Sequence, residues 1–453
     1  MDILGCFYIY LDGMRNKLLT ISLLIFLSFA LTACTISDLP VIGSLFGGGG
    51  VPENKEVTLN VWGLWESPEA MDAMIAKYTA IHPNVTVRYD DRSILNPNDY
   101  KDRVLSRVGQ EGGPDIVAVH ASWVPKMYGT LSPAPEGLLD AEVYAQRFYP
   151  SAVETSVSDN KVYAAPFSYD GLALVYNKKH FEEIGQLSSP TSWEEFRSLA
   201  GKLTILGEDN SIVRAGAAIG SADNIVFFSD ILGLLFSQSG VEFPRDLDSA
   251  TAKDALTFYT NFVLEDKVWG PEFLEASTAF VNEDVSMVFV PSWALLDILN
   301  TRPDLDIGVA PVPQVVSDSP VGWSSYWSYV VPKTSSNSVS AWDFINFLTS
   351  EEGQLAMFNE ASLYRQYGAP YAVASLGSQL SSHPYLGAYV SSASYGKTNE
   401  MAARSGNKKQ VEVLKELVNT VLTNALKNTG PTPEEALSVA KSALNSATGN
   451  TTE

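Results

Sequence analysis

The stretch VTLNVWGL, from Val57 to Leu64, predicts a buried strand, because apolar residues alternate through it and charged residues are absent. A turn at residues 65–68 follows, and then an amphipathic helix with apolar side chains at helical spacing up to Ile81. Val85 to Tyr89 and Asp115 to Val119 predict two further strands. Strands that alternate with helices indicate parallel pairing, so the sequence predicts an α/β fold.

The later part of the chain repeats this alternation of apolar strands and amphipathic helices. Four more strands are predicted, at Leu172 to Tyr176, Val285 to Val290, Ile307 to Pro311 and Ser328 to Val331. At 453 residues the chain exceeds what one compact core usually holds, so two lobes, each built on its own sheet, are expected.

The composition excludes several classes of protein. Hydrophobic residues make up 45% of the chain and charged residues 18%, which is enough apolar surface for large cores. The net charge of −22 argues against nucleic-acid binding, because an acidic surface repels phosphates. Two cysteines exclude a disulfide scaffold, and four scattered histidines argue against a histidine-built metal site. We therefore expect no cofactor, no metal and no nucleic-acid partner.

The N-terminal region is typical of an export signal. Arg15 and Lys17 precede an apolar run from Leu18 to Ala30, which is shorter than the roughly 20 residues that a membrane-spanning helix needs. The tetrapeptide that ends at Cys34, Leu-Thr-Ala-Cys, resembles the bacterial lipobox, which implies that the Cys34 thiol is acylated. Residues 1–33 are then a lipoprotein signal peptide; an uncleaved anchor helix is the alternative.

Residues 34–56 contain a glycine run at 47–50 and are interpreted as a flexible tether. The expected location is therefore extracytoplasmic, with the chain attached to the cell membrane by lipid on Cys34.

An ordered set of short sequences runs through the body of the chain. They are Trp65-Glu66, Gly112-Gly113-Pro114-Asp115-Ile116, Ala165-Pro166-Phe167, Tyr176-Asn177-Lys178, Ser192-Trp193-Glu194-Glu195-Phe196, Met287 to Trp293 and Ala341-Trp342-Asp343-Phe344. In this order the set resembles the family 1 extracellular solute-binding proteins, the family of maltose-binding protein and other receptors of ATP-driven (ABC) sugar importers.

The resemblance implies a periplasmic-binding-protein-like fold of two α/β lobes that are joined by three inter-lobe crossovers. The crossovers would fall near residues 166–170, 277–284 and 326–331. Residues 57–168 with 278–328 would form the N-lobe, residues 169–277 with 329–446 the C-lobe, and residues 447–453 a tail. Ligand would bind in the cleft between the lobes, which closes around it.

A sugar offers apolar C–H faces and a rim of hydroxyls, so its site needs aromatic plates and planar hydrogen-bonding groups. Such residues near the carboxyl ends of predicted strands are the candidate ligand contacts. They are Trp65, Glu66, Trp123, Asp170, Trp293, Trp323, Tyr326, Trp327 and Arg365. The resemblance implies a cleft-facing carboxylate at Asp170 and a stacking aromatic at Trp293. A structural role is the alternative for several of them. Trp65 would cap the end of the sheet, Trp123 and at least one of Trp323, Tyr326 and Trp327 would pack in the interior, Asp170 would be a turn residue and Arg365 a surface arginine.

Three functions are compatible with these features. The first is a monomeric receptor that delivers a mono- or oligosaccharide to the membrane subunits of an ABC permease. The second is an exported glycosidase that uses paired carboxylates. The third is the same fold with a non-sugar solute such as a polyamine. The chain lacks G-x-S-x-G, H-E-x-x-H and any cysteine–histidine pair for nucleophilic catalysis, so we expect no enzyme and no catalytic residues.

Overall fold

The structure, a computed structural model, describes residues 55–402, 408–427 and 430–449. The predicted signal peptide, Cys34 and most of the predicted tether lie outside these residues. Within the described ranges, no helix combines the length and the apolar character that crossing a membrane requires.

Fourteen strands are present in the described residues. They are β1 Val57–Gly63, β2 Val85–Asp91, β3 Ile116–His120, β4 Val157–Ser158, β5 Lys161–Val162, β6 Ala164–Pro166, β7 Ala173–Asn177, β8 Ile205–Leu206, β9 Ile212–Arg214, β10 Met287–Val290, β11 Ile307–Ala310, β12 Gly322–Trp323, β13 Trp327–Val330 and β14 Gly396–Lys397.

The helices of the described residues alternate with these strands, with short 3₁₀ turns between some of them. They are α1 Pro68–Ile81, α2 Pro97–Arg107, α3 Val124–Met127, α4 Ala141–Arg147, α5 Pro150–Ser156, α6 Lys178–Glu183, α7 Trp193–Leu203, α8 Phe228–Gln238, α9 Ala250–Leu264, α10 Ala276–Val281, α11 Ser292–Thr301, α12 Ser338–Leu348, α13 Glu351–Ala361, α14 Gly377–Leu380, α15 Gly387–Ser392, α16 Lys408–Lys427 and α17 Pro433–Gly449.

Local sequence accounts for where these elements begin. The Ser67 side chain accepts a hydrogen bond from the Ala70 backbone N–H, and Pro68 occupies the first turn of α1, where no intrahelical N–H bond is lost. The Ser192 hydroxyl accepts the Glu195 N–H at 3.2 Å, while the Glu195 carboxylate accepts the Thr191 N–H at 2.7 Å. Both helices therefore start where their sequences supply side-chain caps.

Two larger sheets organise the described residues, and three two-stranded sheets accompany them. The first has the strand order β2-β1-β3-β13-β6, and the second has the order β10-β7-β11. Strands β1, β2 and β3 are parallel, whereas β13 is antiparallel to β3 and β6, and β10 and β11 are both antiparallel to β7. The first lobe is defined here as the first sheet with its helices, and the second lobe as the second sheet with its helices. The predicted α/β class is confirmed.

The strand pairing corrects the predicted division of the lobes. Strands β10 and β11 were expected in the N-lobe as part of residues 278–328, yet they pair with β7 of the second lobe. Residues after 329 were expected in the C-lobe, yet β13 lies in the first sheet and α13 packs on α1. The reason is that apolar strands indicate burial but not their partners, which are distant in sequence.

The predicted crossovers change accordingly. The chain passes from the first sheet to the second between β6 and β7, as expected near residues 166–170. It returns between β11 and β13, and it leaves the first lobe again after α13, since α16 packs on α9. Residues 277–284 do not form a crossover: most of them belong to α10, which precedes a strand of the same lobe.

The first crossover passes very close to other backbone. Gly171 forms an isolated bridge with Ser324, and a Cβ atom at Gly171 would lie 1.9 Å from the Trp323 carbonyl oxygen. Because any side chain would collide with fixed backbone there, only glycine fits at this point of the crossover.

Candidate ligand-binding site

Trp65 lies two residues after β1, at the carboxyl edge of the first sheet. Its backbone adopts the left-handed conformation, with φ at 58°, and its N–H donates to the Ser93 hydroxyl at 2.5 Å. The side chain remains 45% exposed. A tryptophan in this conformation is uncommon, so the Trp65 indole is displayed at a backbone position that costs energy.

Trp327, at the start of β13, is the centre of an aromatic group on the same edge. Its ring lies 4.7 Å from Trp65 and 5.2 Å from Trp123, in both cases nearly perpendicular, and 5.4 Å from His120. Trp123 is buried, and the Lys101 ammonium lies 4.9 Å from its ring centroid. We call Trp65, Trp123 and Trp327 the first-lobe aromatic cluster; Trp123 supports it from beneath, and Trp65 is its exposed member.

Glu66 and Arg365 form an ion pair beside this cluster. One Glu66 carboxylate oxygen lies 3.4 Å from an Arg365 guanidinium nitrogen, and the Glu66 side chain is buried. Burial raises the pKa of Glu66, and the nearby Arg365 charge opposes that rise without cancelling it. The Arg365 Nε atom is buried and has no hydrogen-bond partner among the described residues. Of the pair, the Arg365 side chain is the more accessible, at 24% exposed against 7% for Glu66.

Trp293 occupies the first turn of α11, directly after β10 of the second sheet. Its indole is 51% exposed and meets Phe227 edge-on, with ring centroids 5.5 Å apart. It lines a concavity of 360 Å³ together with residues of α10 and α11, including Thr278 and Asp297. We call this concavity the second-lobe groove. It offers one aromatic face with a carboxylate four residues, or about one helical turn, further along α11.

Asp170 is placed differently from its prediction as a cleft-facing carboxylate. It is 8% exposed, and it accepts hydrogen bonds from the Ser292 N–H, the Ser292 hydroxyl and the Gly171 N–H. Burial raises its pKa to about 6, although these donors favour the charged form. Its carboxylate therefore faces the start of α11.

Trp323 and Tyr326 are buried in the interior and do not join the exposed indoles of Trp65 and Trp293. Each side chain is 1% exposed. The Trp323 indole donates to Asp230 at 2.9 Å and packs against Gly233 of α8, while the Tyr326 hydroxyl lies 3.2 Å from that of Thr155. Both rings have their polar atoms satisfied inside the protein, so neither is included in the site proposed below.

A short segment, Arg365 to Tyr367, contacts both regions. Arg365 pairs with Glu66, next to the first-lobe aromatic cluster. The Tyr367 hydroxyl donates to the Ser292 carbonyl oxygen at 2.7 Å, at the base of the Trp293 helix. The first-lobe cluster and the second-lobe groove are thus connected through a segment of three residues, although their sequences are distant.

Sequence reasoning did not identify Phe227, His120 or Asp297. Phe227 follows an apolar run that looks like core sequence, and His120 is the last residue of a buried strand. Asp297 lies four residues after Trp293 on α11 and therefore shares its helical face, but no helix was predicted there from the sequence.

Relatives from Brucella abortus and Pyrococcus abyssi match parts of the chain. A binding protein of Brucella abortus is 24% identical over 230 residues, which are 48% of this chain and 53% of that protein. The maltotriose-binding protein of Pyrococcus abyssi is 23% identical over 291 residues, 62% of this chain and 60% of that protein. The chain thus spans about half the length of the first of these curated relatives.

Solved structures match nearly the whole described body. An ABC transporter solute-binding protein from Thermotoga lettingae, bound to α-D-tagatose, gives a TM-score of 0.65 at 20% identity and covers 86% of this chain and 99% of its own. A cyclo/maltodextrin-binding protein with maltotetraose gives 0.69 at 18% identity, covering 89% and 99%. UgpB of Mycobacterium tuberculosis, with glycerophosphocholine, gives 0.67 at 16% identity, covering 87% and 98%. At these identities the likeness establishes the fold, and the predicted two-lobe fold is confirmed.

The sequence of the chain also matches a family model directly. The model, described as bacterial extracellular solute-binding protein, matches residues 63–355, which is more than half of the chain. This range includes most of the two sheets and both exposed indoles. The family consists of solute-binding proteins, which confirms the predicted family and the expectation that the chain is not an enzyme. The chain belongs to the bacterial extracellular solute-binding proteins.

Proposed function

We propose that this chain is the extracytoplasmic receptor of an ABC importer and that it binds a mono- or oligosaccharide between its lobes. One observation carries the proposal: the two exposed indoles, Trp65 and Trp293, follow strands of different sheets and are connected through Arg365 to Tyr367. Ligands of open α/β sheets bind at such strand ends.

The chemistry of the two regions suits a saccharide. Two indole faces provide apolar area for the C–H faces of sugar rings. Glu66 and Arg365 beside one indole, and Asp297 beside the other, provide acceptors and donors for hydroxyl groups. We include Trp65, Glu66, Trp293, Trp327 and Arg365 as ligand contacts, and Trp123 as their support.

The relatives support the class of ligand. Their names and structures include maltotriose, maltotetraose and α-D-tagatose, which are sugars of different length. Cys34 as a lipid attachment site, a permease as the partner and a monomeric state complete the proposal; they rest on the N-terminal sequence and on the family.

The test is a calorimetric screen of the chain beginning at residue 35 against monosaccharides, maltodextrins and other oligosaccharides. A cognate sugar should release or absorb heat with one-to-one stoichiometry, and at 100 times Kd it should stabilise the fold by about 2.7 kcal/mol. Turnover of glycosides in the same samples would instead support the enzymatic alternative. Absence of binding to every sugar would contradict the proposal.

A non-sugar solute is the second candidate, and one observation favours it. Trp65 and Trp327 meet nearly at right angles beside the buried Glu66 carboxylate. Perpendicular aromatic faces next to an acid also suit an organic cation. Spermidine and a choline ester therefore belong in the screen, and tight binding of either in place of sugars would favour this candidate.

A further inference from the structure

The Asp170 carboxylate is buried and accepts its hydrogen bonds from donors within the protein. One oxygen accepts the Ser292 N–H at 2.9 Å and the Gly171 N–H at 2.7 Å, and the other accepts the Ser292 hydroxyl at 2.8 Å. The side chain is 8% exposed. A carboxylate with these three donors has its hydrogen bonds satisfied within the protein. Replacing these donors with sugar hydroxyls would therefore gain little free energy.

Apart from the Gly171 N–H, the donors to the Asp170 carboxylate belong to the segment that carries Trp293. Ser292 is the residue before Trp293 and the first residue of α11. Its N–H is one of the free donors of that helix end, where a negative charge is also favoured by the helix dipole. The orientation of the first turn, and hence of the indole, follows from how Ser292 is held.

Other contacts converge on the same turn. The Tyr367 hydroxyl donates to the Ser292 carbonyl oxygen at 2.7 Å, and the Tyr389 hydroxyl donates to that of Val290 at 3.0 Å. On the other side, the Ser325 N–H donates to the Asp170 carbonyl oxygen at 2.8 Å. Asp170, which belongs to the crossover after β6, therefore contacts both the turn before α11 and the segment that leads into Trp327.

From this geometry we infer that Asp170 is a positioning residue, which fixes the Trp293 helix to the inter-lobe crossover and does not itself contact the solute. The inference rests on the proposed function, because it assigns Trp293 to the ligand site. If the inference holds, the crossover is connected to α11 through the Asp170 side chain as well as through main-chain contacts.

Two substitutions separate positioning from direct contact. In Asp170→Asn the remaining oxygen still accepts the Ser292 and Gly171 backbone N–H groups, and the new amide donates to the Ser292 hydroxyl, so affinity should change by less than about threefold. Asp170→Ala removes every hydrogen bond of this carboxylate and should weaken binding by about tenfold or more. Equal losses in both variants would overturn the inference, because they would mean that the carboxylate itself contacts the ligand.

The double variant Asp170→Ala with Trp293→Ala shows whether Asp170 acts through the indole. If it does, removing Asp170 in the Trp293→Ala background should cause little further loss of affinity, so the two effects are not additive. Fully additive losses would overturn the inference. A merely structural role would lower the melting temperature of Asp170→Ala and leave its affinity unchanged well below that temperature, which would also overturn it.

A ligand-free measurement keeps this test separate from the test of function. With 5-fluorotryptophan incorporated, the ¹⁹F resonance of Trp293 is identified by its absence in Trp293→Phe. We expect that resonance to shift or broaden in Asp170→Ala and to stay in place in Asp170→Asn. An unmoved resonance in Asp170→Ala overturns the positioning role even if no ligand has been found; a failed sugar screen with a moved resonance contradicts only the proposed function.

Discussion

The first-lobe aromatic cluster and the second-lobe groove present an exposed indole in opposite ways. Trp65 is supported by other rings, since it packs edge to face on Trp327, which in turn packs edge to face on Trp123. Within the described part of the chain, Trp293 has one ring neighbour, Phe227, and it is supported through the hydrogen bonds of its backbone neighbour Ser292. The first surface therefore depends on packing and the second on polar contacts. We expect substitutions in the first-lobe aromatic cluster to lower both stability and ligand affinity, and loss of the Trp293 ring to lower mainly ligand affinity.

Trp327→Ala should have the largest effect, because it removes the ring on which the first-lobe cluster is built. We expect a loss of about 3 kcal/mol in the free energy of unfolding, as for other large-to-small changes at packed sites, together with weaker ligand binding. Urea denaturation measures the first quantity. A loss below about 1 kcal/mol would show that the cluster is not cohesive.

Asp170→Asn should change how stability depends on pH. The folded pKa of Asp170, about 6, lies above its ordinary value of 3.8, so its contribution is fully present below the ordinary value and is lost as pH rises through 6. Relative to the asparagine variant, the wild type should lose about 2–3 kcal/mol between pH 4 and 7. Denaturation midpoints across that range measure the difference; parallel curves would contradict it.

Trp293→Ala should affect binding more than folding. Loss of one aromatic face should weaken sugar binding by about 1–3 kcal/mol, while the free energy of unfolding changes little because half of the ring is exposed. Leu187→Ala is the control, since Leu187 is an exposed apolar residue outside both regions. Unchanged affinity in Trp293→Ala would remove this residue from the proposed site.

Arg365→Met should raise the pKa of Glu66 further, because the charge that opposes the effect of burial is removed. A raised folded pKa means that stability falls as pH increases through it, so the variant should lose stability toward neutral pH relative to the wild type. We expect a difference of about 1–2 kcal/mol at pH 7, since the pair is partly open to water. In the double variant with Glu66→Gln the dependence should disappear.

The smallest expected effect concerns the backbone of Trp65. Because φ is 58° there, Trp65→Gly should be more stable than Trp65→Ala by about 1 kcal/mol, although both lack the indole. Thermal unfolding of the matched pair measures it. Equal stability would indicate that the left-handed conformation relaxes once the ring is absent.

Local sequence predicted the elements better than their assembly. The strands at Val57, Val85, Ile116 and Met287 were predictable because short apolar runs bounded by turn residues are typical of buried strands. Lobe membership was not predictable, since β10 and β13 are both short, largely buried strands and yet join different sheets. Pairing depends on partners more than a hundred residues away, for which a single sequence holds no local signal.

The candidate site was predictable for residues chosen only because they follow the carboxyl end of a predicted strand. Trp65, Glu66 and Trp293 directly follow strands, and Trp65 and Trp293 are exposed there. Aromatic density misled the prediction around Trp323 and Tyr326, whose rings pack into the interior while neighbouring Trp327 remains half-buried. The orientation of Asp170 depends on α11, which is remote in sequence, so its hydrogen bonds were visible only in the structure.

The segment that touches both lobes also suggests a practical use. Tyr364 precedes Arg365 and is 59% exposed. Both natural cysteines, Cys6 and Cys34, precede residue 35, so Tyr364→Cys in a chain that starts there creates a single thiol. A polarity-sensitive dye on that thiol would lie beside a short segment that contacts both lobes, so its emission would serve as an optical signal for ligand binding.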